Sequence, residues 1–139
     1  MAIRTFALLF AVIFGMIGAL GFVPGAVHAV PPEAPPLAVD DGYGLLLGWF
    51  PVNVLHNLIH LLFSVLGLAA FAGYMLPVTY ARLVAVSYAA LALMGLFPVL
   101  NTTFGLVPIY GGVVILHLGL AAVATYFGFF YRTEAVVRA

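Results

Sequence analysis

Phe50-Pro-Val-Asn-Val-Leu-His-Asn-Leu-Ile-His-Leu61 is the one stretch where polar side chains crowd into an otherwise apolar chain. Asn53, His56, Asn57 and His60 stand at i, i+3, i+4 and i+7, so on an α-helix they form a single stripe. Pro51 suits the first turn of that helix, where a missing N–H costs nothing. In lipid such a stripe is expensive unless it faces protein or water, so it is expected to face the interior of a bundle.

The rest of the chain explains why lipid is the relevant solvent. Of its 139 residues 66% are hydrophobic and 6% charged, and the mean hydropathy is +1.28. So few charges cannot cover a soluble core, and four apolar runs approach bilayer length. The fold class expected is all-α integral membrane: four transmembrane helices in one domain over residues 1–139, at about 6–23, 51–74, 80–97 and 111–131. There is no cysteine, which excludes disulfides, thiolate metal sites and thiol chemistry. Zero net charge and no basic run leave nucleic acid without an electrostatic footprint.

The first run, rich in small residues (Gly15, Gly18, Ala19, Gly21), suits close helix packing. Arg4 and Val27-His-Ala29 would also fit a signal peptide, but the run is long for that, and a retained helix is expected. Residues 24–44 are Pro-rich and acidic (Glu33, Asp40, Asp41) and read as an exposed loop with polyproline II character. Leu45 to Phe50, with Trp49, reads as an interfacial short helix or re-entrant turn. Leu76-Pro-Val-Thr79 reads as a turn, and Tyr43, Trp49, Tyr74, Tyr80, Tyr110, Tyr126 and Tyr131 as interfacial belts. With four spans, Arg4, Arg82, Arg132 and Arg138 fall on one side, which places both termini in the cytoplasm.

A weak internal duplication accompanies this pattern. Gly48-Trp-Phe-Pro51 with His60 matches Gly105-Leu-Val-Pro108 with His117. Ala11-Val12 and Gly21-Phe-Val-Pro24 match Ala85-Val86 and Gly95-Leu-Phe-Pro98 at a second offset. Helices 1–2 and 3–4 then read as two copies of one hairpin, related by an axis along the membrane normal.

Arg4-Thr-Phe-Ala7 (within the basic start), Gly21-Phe-Val-Pro-Gly25 and, above all, the stretch from Phe50 to Leu61 resemble a family of small four-helix membrane proteins of bacteria, including cyanobacteria. That family is described only as a domain of unknown function. The resemblance covers nearly the whole chain and implies the four-span topology and a retained first helix. It implies no activity. Ile109-Tyr-Gly-Gly112 departs from the polar segment the family often carries before the last helix.

His60 and His117 hold matching positions, about one-third of the way in from the outer face. If helices 2 and 4 are neighbours, the two imidazoles can share a ligand: haem b or a metal ion. The plainer reading makes each histidine an interhelical hydrogen-bond donor. Asn53, His56 and Asn57 sit near the helix start and read as caps and loop anchors, or as the lining of a wet vestibule. No serine or threonine has a base and an acid placed beside it, and no acidic residue lies in a span to couple ions. No enzyme is expected. The favoured reading is a non-catalytic structural or accessory protein of a bacterial cytoplasmic or thylakoid membrane. Its partners would be the bilayer, other membrane proteins or itself. A haem- or metal-binding redox protein is the main alternative, and an oligomeric small-solute channel or carrier the weaker one.

Overall fold

A computed structural model describes residues 2–131, so Arg132, Glu134 and Arg138 lie outside the described residues. Four helices organise it: α1 (Ala2–Leu20), α2 (Val54–Ala72), α3 (Pro77–Gly95) and α4 (Gly112–Thr125). α4 runs on as a π-helical turn, Tyr126–Phe130. Each of the four units, α4 taken together with its π-turn, is 19 residues long and apolar enough to cross a membrane, which is about 28 Å of helix. Large apolar side chains such as Leu9, Met16, Val65, Val86 and Ile115 are exposed, as lipid-facing positions of a multi-pass membrane protein must be.

Three boundaries differ from the sequence reading. Pro51 is not in the first turn of α2. It lies in β3 (Phe50–Val52), paired antiparallel with β2 (Gly44–Leu46), which in turn pairs with β1 (Val27–His28). Leu45 to Phe50 is therefore a hairpin rather than a helix, closed by Leu47 and Gly48 in the left-handed region (φ 54° and 78°). Two strands satisfy each other's backbone groups where an isolated apolar turn at the interface could not. α3 starts at Pro77, whose fixed φ and missing N–H fit the first helical position. Tyr80 is then not an interfacial residue: it is fully buried, its hydroxyl donating to the Phe63 carbonyl at 3.1 Å.

α1 packs along α2 and α3 along α4, and the two hairpins repeat in detail. One offset carries Pro51 to Pro108 and His60 to His117, and the other carries Ala11 to Ala85. The buried face of α1 (Phe6, Ala7, Phe10, Ala11, Phe14, Gly18) maps onto that of α3 (Tyr80, Ala81, Val84, Ala85, Tyr88, Ala92). Leu47 and Gly48 have their mates in Phe104 and Gly105, both also at positive φ. Phe14 stacks on His60 as Tyr88 meets His117 edge-on, and Phe14 and Tyr88 stack on each other at 5.1 Å. At the far end, Arg4 donates to the Phe71 carbonyl and Arg82 to the carbonyl of its mate, Gly128. The two arginines thus mark one end of the bundle, and the sheet and histidines mark the other.

Candidate functional site

Asn53 sets the site up. It is the N-cap of α2, its side-chain oxygen accepting from the His56 backbone N–H at 2.9 Å. Its amide nitrogen donates to the Val39 and Leu106 carbonyls, both at 2.7 Å. One fully buried side chain therefore ties the helix start to the first and third connections. The Gly105 carbonyl accepts from the Ala38 N–H at 2.8 Å, and the Asp41 carbonyl accepts from the Val54 N–H at 2.9 Å. The acidic loop is thereby drawn over the third connection and roofs the bundle. Tyr43 donates to the Pro35 carbonyl at 2.9 Å, which leaves Tyr110 to donate to the Tyr43 oxygen at 2.6 Å. Partial burial, then this bond, pushes the Tyr110 hydroxyl well above the ordinary tyrosine range.

Beneath the roof three imidazoles meet. His56 and His60, one turn apart on α2, stack with centroids 4.6 Å apart. His117 comes from α4, its ring centroid 5.9 Å from that of His56. One ring nitrogen from each lies within 4.8 Å of the others. All three residues are at most 5% exposed, and the Nδ1 atoms have no hydrogen-bond partner. Tetrahedral coordination at zinc–nitrogen lengths puts donor atoms about 3.4 Å apart, so side-chain rotations of roughly an ångström would close the set on an ion. The acids Glu33, Asp40 and Asp41 are exposed and form no part of this group.

The polar stripe therefore divides. Asn53 is a cap and anchor. His56 and His60 join His117. Asn57 points the other way, into α1: a Cβ on Gly21 would lie 2.2 Å from its Oδ1. Both ends of the Asn57 amide are buried without a partner, beside a cavity of about 330 Å3 that Asp41 and Gly42 also line. On sequence alone His60 and His117 are the ligand candidates, and His56 belongs to the polar stripe as a cap, loop anchor or vestibule lining. The signal this reading passes over is the spacing of His56 and His60, since histidines at i and i+4 on one helix face can hold one ion.

A cavity lies on each side of the triad. One, of about 240 Å3, sits between α1 and α4 and is lined by Ile17, Leu20, Val113 and Leu116 besides the histidines. The other, of about 200 Å3, sits between α2 and α3, with Ile59, Leu91, Val107 and Ile109. Under the internal repeat these are mates: Ile17 answers to Leu91, Leu116 to Ile59, and Phe50 and Val52 to Val107 and Ile109. The triad is thus flanked by two copies of one hollow.

Comparison with curated proteins and with solved structures returned no match. Residues 4–130 match the family model described as Domain of unknown function (DUF4383), and the chain belongs to that family.

Proposed function

We propose that this multi-pass membrane protein binds a single transition-metal ion through His56, His60 and His117. The observation that carries the reading is the convergence of three buried imidazoles, one ring nitrogen of each within 4.8 Å of the others, together with the unpartnered Nδ1 atom on each ring. A buried polar atom without a partner costs about 1–3 kcal/mol, and three together are accounted for if they have a common ligand. Imidazole suits copper, zinc, iron and nickel. The ligands are neutral and the flanking walls apolar, and the cost of burying an ion rises with its charge. A monovalent cuprous ion therefore matches this set better than a divalent one. The cavities on either side of the triad leave room for a further ligand beside the ion.

The role proposed is binding rather than catalysis, in a bacterial cytoplasmic or thylakoid membrane with the termini cytoplasmic. Arg4 and Arg82 at one end of the bundle support that orientation. A b-type haem between His60 and His117 is the second reading. It is favoured by their equivalence under the repeat and by the hollow on each side of them.

The test is metal analysis and visible absorption of protein purified gently in detergent, then reloaded anaerobically with Cu(I), Zn(II) or haem. One equivalent of metal without a Soret band, lost in His56→Ala, His60→Ala and His117→Ala, is the expected result. A Soret band lost only in the His60 and His117 variants selects haem. A colourless protein that takes up neither returns the histidines to interhelical contacts and the chain to an accessory role.

A further inference from the structure

The two hollows are equivalent at the triad but not below it. The seam between α2 and α3 is closed at the arginine end, where only Gly73–Leu76 join the helices. The seam between α1 and α4 has no such connection, and there a second groove of about 580 Å3 opens, lined by Leu9, Phe10, Val123 and Phe127. The two cavities share no lining residue and lie at successive levels of the same seam. Ala2, Thr5, Leu9, Met16, Ile17 and Leu20 line one cavity or the other and fall on a single face of α1. On α4 and its π-turn, Val113, Leu116, His117, Val123 and Phe127 do the same. The face spans about 27 Å from Ala2 to Leu20 at the helical rise. Met16 and Leu47, on the rim, are exposed, so the seam opens sideways.

We propose that this seam holds a neutral lipid of the quinone or quinol class, its ring in the hollow beside the histidines and its tail along α1 and α4. Three observations select the occupant. The triad supplies imidazole nitrogens able to donate to or accept from a ring oxygen, and among the described residues they are the only ionisable side chains lining that hollow. No cation lines it: among the described residues Arg4 and Arg82 sit at the opposite end, bonded to backbone carbonyls. A phosphate head therefore has no partner here, whereas a neutral oxygen-bearing ring does. The groove below is walled almost wholly by apolar side chains and has the length of a linear hydrocarbon chain. The site shares its histidines with the metal site but does not need the ion, because a ring oxygen can hydrogen-bond to a free imidazole.

Trp49, the only tryptophan, stands exposed next to Phe50, which lines the hollow, and quinones quench indole emission. Titrating metal-free and metal-loaded full-length protein in detergent with an alkyl-tailed benzoquinone is expected to give saturable quenching with one site. Ile17→Phe and Leu116→Phe fill the hollow and should weaken binding at least about tenfold, with metal stoichiometry unchanged. Leu91→Phe and Ile59→Phe fill the equivalent hollow and should leave quinone binding intact. Leu9→Phe, lower in the seam, should weaken a long-tailed quinone more than a tail-less one. The proposal is overturned by non-saturable quenching of folded wild-type protein. It is equally overturned if both pairs of plugs act alike, or if a phospholipid competes as well as the quinone. Efficient disulfide cross-linking of Met16→Cys between copies, in a chain with no other cysteine, would assign the seam to a second copy instead. Loss of metal binding with retained quinone binding would sink the metal reading alone.

Discussion

The approaches to α2 and α4 are two solutions to one problem. Each brings the chain through a left-handed pair (Leu47-Gly48, Phe104-Gly105) and a buried proline (Pro51, Pro108) to a histidine nine residues on. The first approach is a β-hairpin ending in the Asn53 cap. The second is a series of turns ending at Gly111, which caps with no side chain. The α2 positions Asn53, His56, Asn57 and His60 correspond to Tyr110, Val113, Val114 and His117, so only the last polar residue recurs. The duplication supplies a frame with a histidine pair at its centre. The first copy adds the third histidine, the cap and the roof anchor. The buried polar side chains are thus concentrated in one half of a repeated scaffold.

The sharpest way to break the comparison is to move the third ligand across it. His56→Ala is expected to weaken metal binding by at least about a hundredfold, given that outer partners of ligands alone are worth ten- to a hundredfold. Adding Val113→His places an imidazole at the equivalent position on α4 and should restore most of the affinity, read by competition with a chelating dye. No recovery in a folded double variant would mean that the two halves are not interchangeable around the ion.

Asn53→Ala should come next in size. It removes the cap, worth about 1 kcal/mol, and leaves the Val39 and Leu106 carbonyls without their donor, each about another 1 kcal/mol. A loss of roughly 3 kcal/mol in reversible unfolding in micelles is expected, against about 1 kcal/mol for Tyr110→Phe at the matching position. Equal losses would show that the first half carries no special anchor.

Glycines test the helix crossings. A Cβ on Gly95 would lie 2.6 Å from the Ile109 carbonyl, which is backbone; on the equivalent Gly21 its three nearest atoms would all belong to the Asn57 side chain. Gly95→Ala is expected to cost about 2 kcal/mol. Gly21→Ala should cost less, because the Asn57 amide can swing toward the adjoining cavity, and thermal unfolding in detergent would rank the two. The smallest effect concerns pH. The raised Tyr110 pKa means that the fold favours the neutral hydroxyl. Its stabilisation is complete below the unfolded value, about 10, and is lost as pH rises above it. Tyr110→Phe should flatten the stability profile on that alkaline side only.

Much of this was legible in residue order because lipid imposes simple rules. Apolar length alone placed four spans, and a polar stripe in such a chain had to turn inward. Helix ends were less legible. Pro51 is as compatible with an edge-strand position as with a first helical turn, and the pairing of residues 44–46 with 50–52 decided between them. Tyr80 read as a belt residue because tyrosine serves both interfaces and cores when its hydroxyl finds a carbonyl. His56 read as a capping residue because its direction depends on which neighbour lies beside it.

Composition and periodicity by themselves determined a four-span membrane protein with an inward polar stripe and a duplicated hairpin, since each rests on local hydrophobicity or on spacing along one chain. Only the tertiary structure decided that His56 turns to His117 while Asn57 turns to Gly21, and that one seam closes while its mate stays open. Those outcomes depend on how separate helices cross and on which pairs a short connection ties together, and no single segment encodes either.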